Sequence, residues 1–231
     1  MKNCEMKLNG NMLIVRTIMI ENKFDNKYYE KYAILSLMYC YNNTWGSFIL
    51  SDKPDLQNSY LDIGIEVTRA ISEYEGMYNG IVNKYFGKGF NGEYIKKNIE
   101  EKFEKFRGEV SVIDDKTLIS GHKGLCDFKT HIDEIEKAII LKTCKLNDNY
   151  KIYNKNHLYL FTGTSLVKGY DLKDKLKDIK EATLSYKISF DLLFINCLDK
   201  IFVVDMASEN ITKILIDEEM LIKIKAEVAK K

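Results

Sequence analysis

Proline is almost missing from this chain of 231 residues. Pro54 is the only one, where average usage of about 5% predicts roughly a dozen. Glutamine is equally rare, with Gln57 alone, and arginine is confined to Arg16, Arg69 and Arg107 while Lys and Asn abound. That profile is the mark of low G+C coding, so the scarcity itself reflects mutational bias rather than the fold. The five cysteines (Cys4, Cys40, Cys126, Cys144 and Cys197) are scattered and form no C-x-x-C pair. This argues against a disulfide framework or zinc knuckle and for small buried thiols in a reducing compartment. No charged leader with an apolar core opens the chain and no 18-residue apolar run occurs. Export and membrane spanning are therefore not expected, and the cytoplasm is the expected location. Charge of one sign is also lacking: 35 basic and 34 acidic side chains leave a formal +1. Bulk electrostatic binding to nucleic acid or anionic lipid is not suggested, although a local basic face remains open.

What is present is the usual material of a soluble globular protein, 45% hydrophobic and 30% charged. The β-branched run Met12–Ile20, after an Asn9-Gly10-Asn11 turn, predicts a strand, and Asp25 or Asn26 predicts the cap of a helix over 27–42. Trp45–Leu50 predicts a short strand. Leu61–Thr68 is the best strand in the first half: Ile63, Ile65 and Val67 face one way, Gly64, Glu66 and Thr68 the other. Helical spacing follows over 72–86, 92–107, 130–146 and 171–186, with turns at Asp114-Asp115 and Gly121. A buried strand is predicted at 157–162 and a hairpin from 190–196 and 200–205, the tail being short strand or helix. The expectation is one α/β domain with a mixed central sheet flanked by helices.

One constellation carries chemistry. Asp55 directly follows Pro54, and Glu66 lies eleven residues on, inside the strong strand. A hairpin-like return would set the two carboxylates side by side, and with the carbonyl of Val67 they would form the hard-oxygen site that Mg²⁺ prefers. Such an ion orients and ionises a water and stabilises charge building on a phosphodiester. Gly64, on the face of Glu66, is expected to leave room for a phosphate or ion. The plain alternative is a Pro-Asp turn and a solvated strand glutamate.

Pro54-Asp55 followed by Ile63-Gly64-Ile65-Glu66-Val67-Thr68 resembles the PD-(D/E)XK nuclease superfamily, the restriction endonuclease-like proteins. The resemblance implies a core of helix, three-stranded meander, helix and strand. Here that corresponds to 27–42, strands near 47–51, 55–58 and 62–68, the helix at 72–86 and the strand at 157–162. The core would comprise about 27–86 plus 157–205, with a helical insertion at about 87–156. It further implies a Mg²⁺ or Mn²⁺ ion held by Asp55 and Glu66, with Glu30 on the first helix assisting, and hydrolysis of DNA rather than RNA. A homodimer is also admitted. The chain departs from the pattern at Thr68, where the family usually has lysine. Either a lysine reaches in from elsewhere, with Lys84 as the catalytic candidate and Lys129 or Lys137 as others, or the site is weakened or dead. The alternative function is thus an inactive scaffold of the same type that binds nucleic acid or a protein partner.

Other patterns weigh less. His122, His131 and His157 are too far apart for a zinc signature, and no nucleophile elbow, Walker loop or dinucleotide fingerprint occurs. Gly87-Lys-Gly-Phe-Asn-Gly92 reads as a helix stop before a loop, and Thr162-Gly-Thr-Ser165 as a turn. Residues 84–107 hold seven basic and four acidic side chains interleaved with aromatics. Stacking on nucleic acid is one reading and core packing the commoner one.

Overall fold

A computed structural model describes residues 26–41, 47–85, 88–105, 108–113, 116–121 and 128–229. The strand expected over Met12–Ile20 and the turns at 9–11 and 114–115 lie outside these residues, as does His122.

The chain opens with helix α1 (Asn26–Cys40) and the meander β1 (Ile49–Leu50), β2 (Leu56–Asn58) and β3 (Ile63–Arg69). Helices α2 (Glu73–Tyr85) and α3 (Gly92–Glu104) follow, then strands β4 (Gly108–Ile113) and β5 (Lys116–Gly121) and helix α4 (Phe128–Asn149). Strand β6 (Lys155–Phe161), helix α5 (Gly169–Thr183), strands β7 (Leu192–Asn196), β8 (Lys200–Asp205) and β9 (Ile211–Leu215), and helix α6 (Glu218–Val228) complete it. Seven strands form one sheet in the order β1-β2-β3-β6-β7-β8-β9. The first three are antiparallel neighbours, β3, β6 and β7 run parallel, and β7, β8 and β9 are antiparallel again. The architecture is α/β with a mixed sheet flanked by helices, as the strand and helix order implied.

Side-chain alternation builds the two faces. Ile65 and Val67 of β3, Tyr159 of β6 and Phe194 of β7 pack with Ala33 and Leu37 of α1. On the opposite face Leu158 and Leu160 of β6 and Leu193 and Ile195 of β7 meet Ile132, Ile135, Ile139 and Leu146 of α4 and Leu172, Leu176 and Ile179 of α5. The two-residue period thus assigns Gly64, Glu66 and Thr68 to the face covered by α4.

The stretch expected to be an insertion divides in two. Ile95, Ile99 and Phe103 of α3 and Val110 of β4 join Ile81 and Tyr85 of α2 in a separate apolar cluster, and among the described strands β4 pairs only with β5. Helix α4 returns to the main sheet and serves as the covering helix of the crossover between the parallel strands β3 and β6. Of the aromatics between 84 and 107, Tyr85 and Phe103 are core, while Phe90 and Tyr94 are exposed and stack at 5.0 Å.

Gly64 has a packing role that the sequence pattern did not suggest. A Cβ there would lie 2.6 Å from Cδ2 of Tyr153 and 2.7 Å from Cγ of Pro54. The space expected for a phosphate is therefore filled by two rings. Gly64→Ala should cost about 1–3 kcal/mol of stability through overpacking. Gly80→Ala in the exposed interior of α2, where nothing lies within 4 Å of the new methyl, should stabilise by about 0.5–1 kcal/mol. Urea denaturation of the two variants beside the wild type measures both signs.

Candidate active site

Glu66 is the centre of the site. Its residue is only 4% exposed, and a carboxylate so far removed from water costs several kcal/mol unless it is compensated. The compensation comes from α4 and the residue just past its end. Lys142 Nζ forms an ion pair with Glu66 Oε1, and the Tyr150 hydroxyl donates to the same oxygen at 2.7 Å. Oε2 is buried and has no hydrogen-bond partner among the described residues. The Tyr150 phenol is held well above its ordinary pKa, first by burial and then by the hydrogen bond to Glu66.

Asp55 reaches the same place from the position just before β2. The register pairs Leu56 with Ile65 and Gln57 with Gly64, so one step further Asp55 stands across from Glu66. Its Oδ2 accepts a 2.7 Å hydrogen bond from the Val67 amide. The return that presents Asp55 is fixed by the Ser51 amide donating to the Asp55 carbonyl at 2.7 Å and by Gln57 Nε2 donating to the Pro54 carbonyl at 3.0 Å. Burial pushes the Asp55 carboxyl up to about 7, and the negative charge of Glu66 adds to the shift. The Val67 amide opposes it, Glu30 raises it further and Lys142 lowers it.

Asp55, Glu66 and Lys142 line a cleft of about 480 Å³ at the carboxyl end of β3, together with Glu30 of α1, Thr68, Arg69 and Ser72. Ligand sites in open α/β sheets lie in this position. Arg69 spans to α1, its guanidinium carbon 5.2 Å from the centre of the Tyr29 ring. The cleft therefore brings together three of the four residues predicted from sequence: Asp55, Glu66 and Glu30. Lys84 is not one of its lining residues. It is exposed on α2 with Nζ 4.9 Å from the Tyr85 ring centre. Lys137 pairs with Glu134 on the outer face of α4, and the side chain of Lys129 lies outside the described residues.

The lysine that does reach the carboxylates is Lys142, which sequence reasoning missed together with Tyr150. They lie 76 and 84 residues from Glu66, so no local spacing reports them. One faint signal existed. Lys142 sits three residues after Ile139 and four before Leu146, on the edge of the apolar stripe that includes Ile135. Its side chain is only 15% exposed, and a lysine at such a position needs a partner.

Among the described residues no three His, Cys, Asp or Glu side chains converge tightly enough to cage an ion unaided. Mg²⁺ does not require a cage; it is commonly held by one or two carboxylates, with waters and substrate oxygens completing the shell. His157 is buried in β6, and burial lowers its pKa to about 4, which keeps it neutral. No helix among the described residues is long and apolar enough to cross a membrane. No known protein family, curated protein or solved structure matches the chain.

The raised Asp55 pKa has a defined sign. The carboxyl binds a proton more tightly in the folded state, at about 7 against an ordinary 3.8, so stability falls as pH rises between those values. Asp55→Asn keeps an acceptor for the Val67 amide and removes the titration. The urea midpoint of the wild type should therefore fall relative to Asp55→Asn from pH 4 to pH 8. A difference that does not change with pH would show that Asp55 titrates normally.

Proposed function

We propose that this protein is a metal-dependent nuclease that hydrolyses phosphodiester bonds of DNA, on a PD-(D/E)XK-like core. The observation that carries the reading is the convergence of Asp55, Glu66 and Lys142 on one cleft, with a buried Glu66 oxygen that has no partner among the described residues. The order helix, three-stranded meander, helix, strand supports it, although the helix that covers the sheet between β3 and β6 is α4 and not the 72–86 helix to which the resemblance assigned that place, with α2, α3, β4 and β5 interposed. Lys142 answers the departure at Thr68: a lysine from the covering helix supplies the positive charge that a threonine cannot.

The residues fit a hard divalent cation. Glu66 Oε2 lacks a partner among the described residues, and Asp55 holds its proton up to about neutral pH because it is buried beside another carboxylate. A cation relieves both conditions. Asp55 and Glu66 would hold Mg²⁺ or Mn²⁺, with Glu30 assisting, and the ion would supply Lewis-acid stabilisation of charge on the phosphodiester. Asp55 must give up its proton to ligate, so cation affinity should strengthen as pH rises through about 7. Lys142 balances Glu66 and would supply positive charge to the scissile phosphate.

A second reading has its own support. The Lys142 ammonium already neutralises Glu66 without any ion, as in an inactive scaffold of this type that binds nucleic acid or a protein partner.

Supercoiled plasmid with Mg²⁺ or Mn²⁺ separates the two. The nuclease reading expects nicked or linear product from the wild type. Asp55→Ala, Glu66→Ala and Lys142→Ala should each lower the rate about 100-fold or more, the usual loss for a group that stabilises transition-state charge. Cleavage that survives Asp55→Ala and Glu66→Ala would sink the assignment. Plasmid bound but uncut by the wild type would favour the second reading.

A further inference from the structure

Two donors from one stretch of chain converge on a single oxygen. Lys142 Nζ and the Tyr150 hydroxyl both serve Glu66 Oε1, and Oε2 receives nothing from the described residues. A lone ion pair would leave the carboxylate plane free to swing about its terminal torsion, which is broad. A second donor on the same oxygen narrows that swing and so fixes the direction of the other oxygen. We infer that Tyr150 is a positioning residue for divalent-cation binding: it helps tie Oε1 to α4 and so reserves Oε2 as the ligating atom. The inference rests on the reading that Glu66 ligates a cation, and it assigns Tyr150 a role that Lys142 alone does not fill.

The segment that carries Tyr150 is held independently of this hydroxyl. Asn147, near the end of α4, donates to the Ile188 carbonyl at 2.7 Å and accepts from the Ile188 amide at 2.9 Å. The Lys151 amide donates to the Lys53 carbonyl at 3.1 Å, and the Tyr153 hydroxyl donates to Gln57 Oε1 at 2.7 Å. Loss of the Tyr150 hydroxyl therefore leaves the backbone around it anchored on both sides. Outer groups that orient a metal-ligating carboxylate typically contribute 10–100-fold to metal affinity.

The test is Mn²⁺ binding alone, followed by electron paramagnetic resonance of free and bound ion, on the full chain without nucleic acid. Tyr150→Phe should weaken Mn²⁺ binding about 10–100-fold while keeping native circular dichroism and cooperative unfolding. Tyr186→Phe, which loses a hydroxyl bonded to Cys144 of α4 rather than to either carboxylate, should bind Mn²⁺ as the wild type does. Wild-type affinity in Tyr150→Phe would overturn the inference. Equal weakening in both variants would also overturn it, since that points to packing of α4 rather than to Glu66. A Tyr150→Phe chain that does not fold would contradict the independent anchoring and overturn it as well. A wild-type chain that binds no Mn²⁺ would overturn the metal reading and this inference together. Failure of the metal reading thus shows in the wild type, and failure of the Tyr150 role shows only in the variant.

Discussion

The burial of one carboxylate organises much of this structure. Glu66 lies on the α4 face of β3, away from the apolar side chains of Ile65 and Val67, where it is almost wholly removed from water. Nothing in β3 itself compensates it. The compensation arrives from α4 and the residue just past its end, through the ammonium of Lys142 and the hydroxyl of Tyr150. Helix α4 is also the helix that covers the sheet between the parallel strands β3 and β6. The topological need for a crossover and the electrostatic need of Glu66 are met by one element.

The chain leaving α4 extends this coupling to the second acid. Within a few residues it bonds the Lys53 carbonyl, sets the Tyr153 ring against Gly64 and donates to Gln57. Asn156 then closes the turn by bonding both the amide and the carbonyl of Tyr153. Residues 150–156 thus fasten the return that presents Asp55, the strand that presents Glu66 and the start of β6. Pro54 takes part directly, since its ring is one of the two surfaces that Gly64 must fit. The sole proline of the chain is a packing surface behind the candidate site as well as the residue before its first acid.

Legibility along the chain followed the range of the interactions involved. The alternation Ile63, Ile65, Val67 against Gly64, Glu66, Thr68 assigns the faces of β3 correctly, because strand geometry makes that pattern local. The meander that pairs Asp55 with Glu66 was readable for the same reason: a short return leaves few registers open. Helix α4 was legible from its spacing, but its relation to the sheet was not. Apolar periodicity reports that a face is buried without reporting against what. The hairpin β4–β5 went unrecognised as a unit because it pairs with no strand of the main sheet and its turn signals read equally well as irregular chain.

By itself the sequence determined the element types of the main sheet through β8 and of helices α1 to α5, the alternating faces of β3, the mixed α/β class and the proximity of Asp55 to Glu66. Each of these rests on neighbours within a few residues or across one short turn. Only the tertiary structure decided which lysine serves the site, that Tyr150 shares its oxygen, that Gly64 is packing rather than open space, and that Asp55 holds its proton to about neutral pH. Those properties arise when chain segments about 80 residues apart are brought together in a low-dielectric interior. Charge compensation and desolvation depend on that through-space arrangement, and no local pattern encodes it.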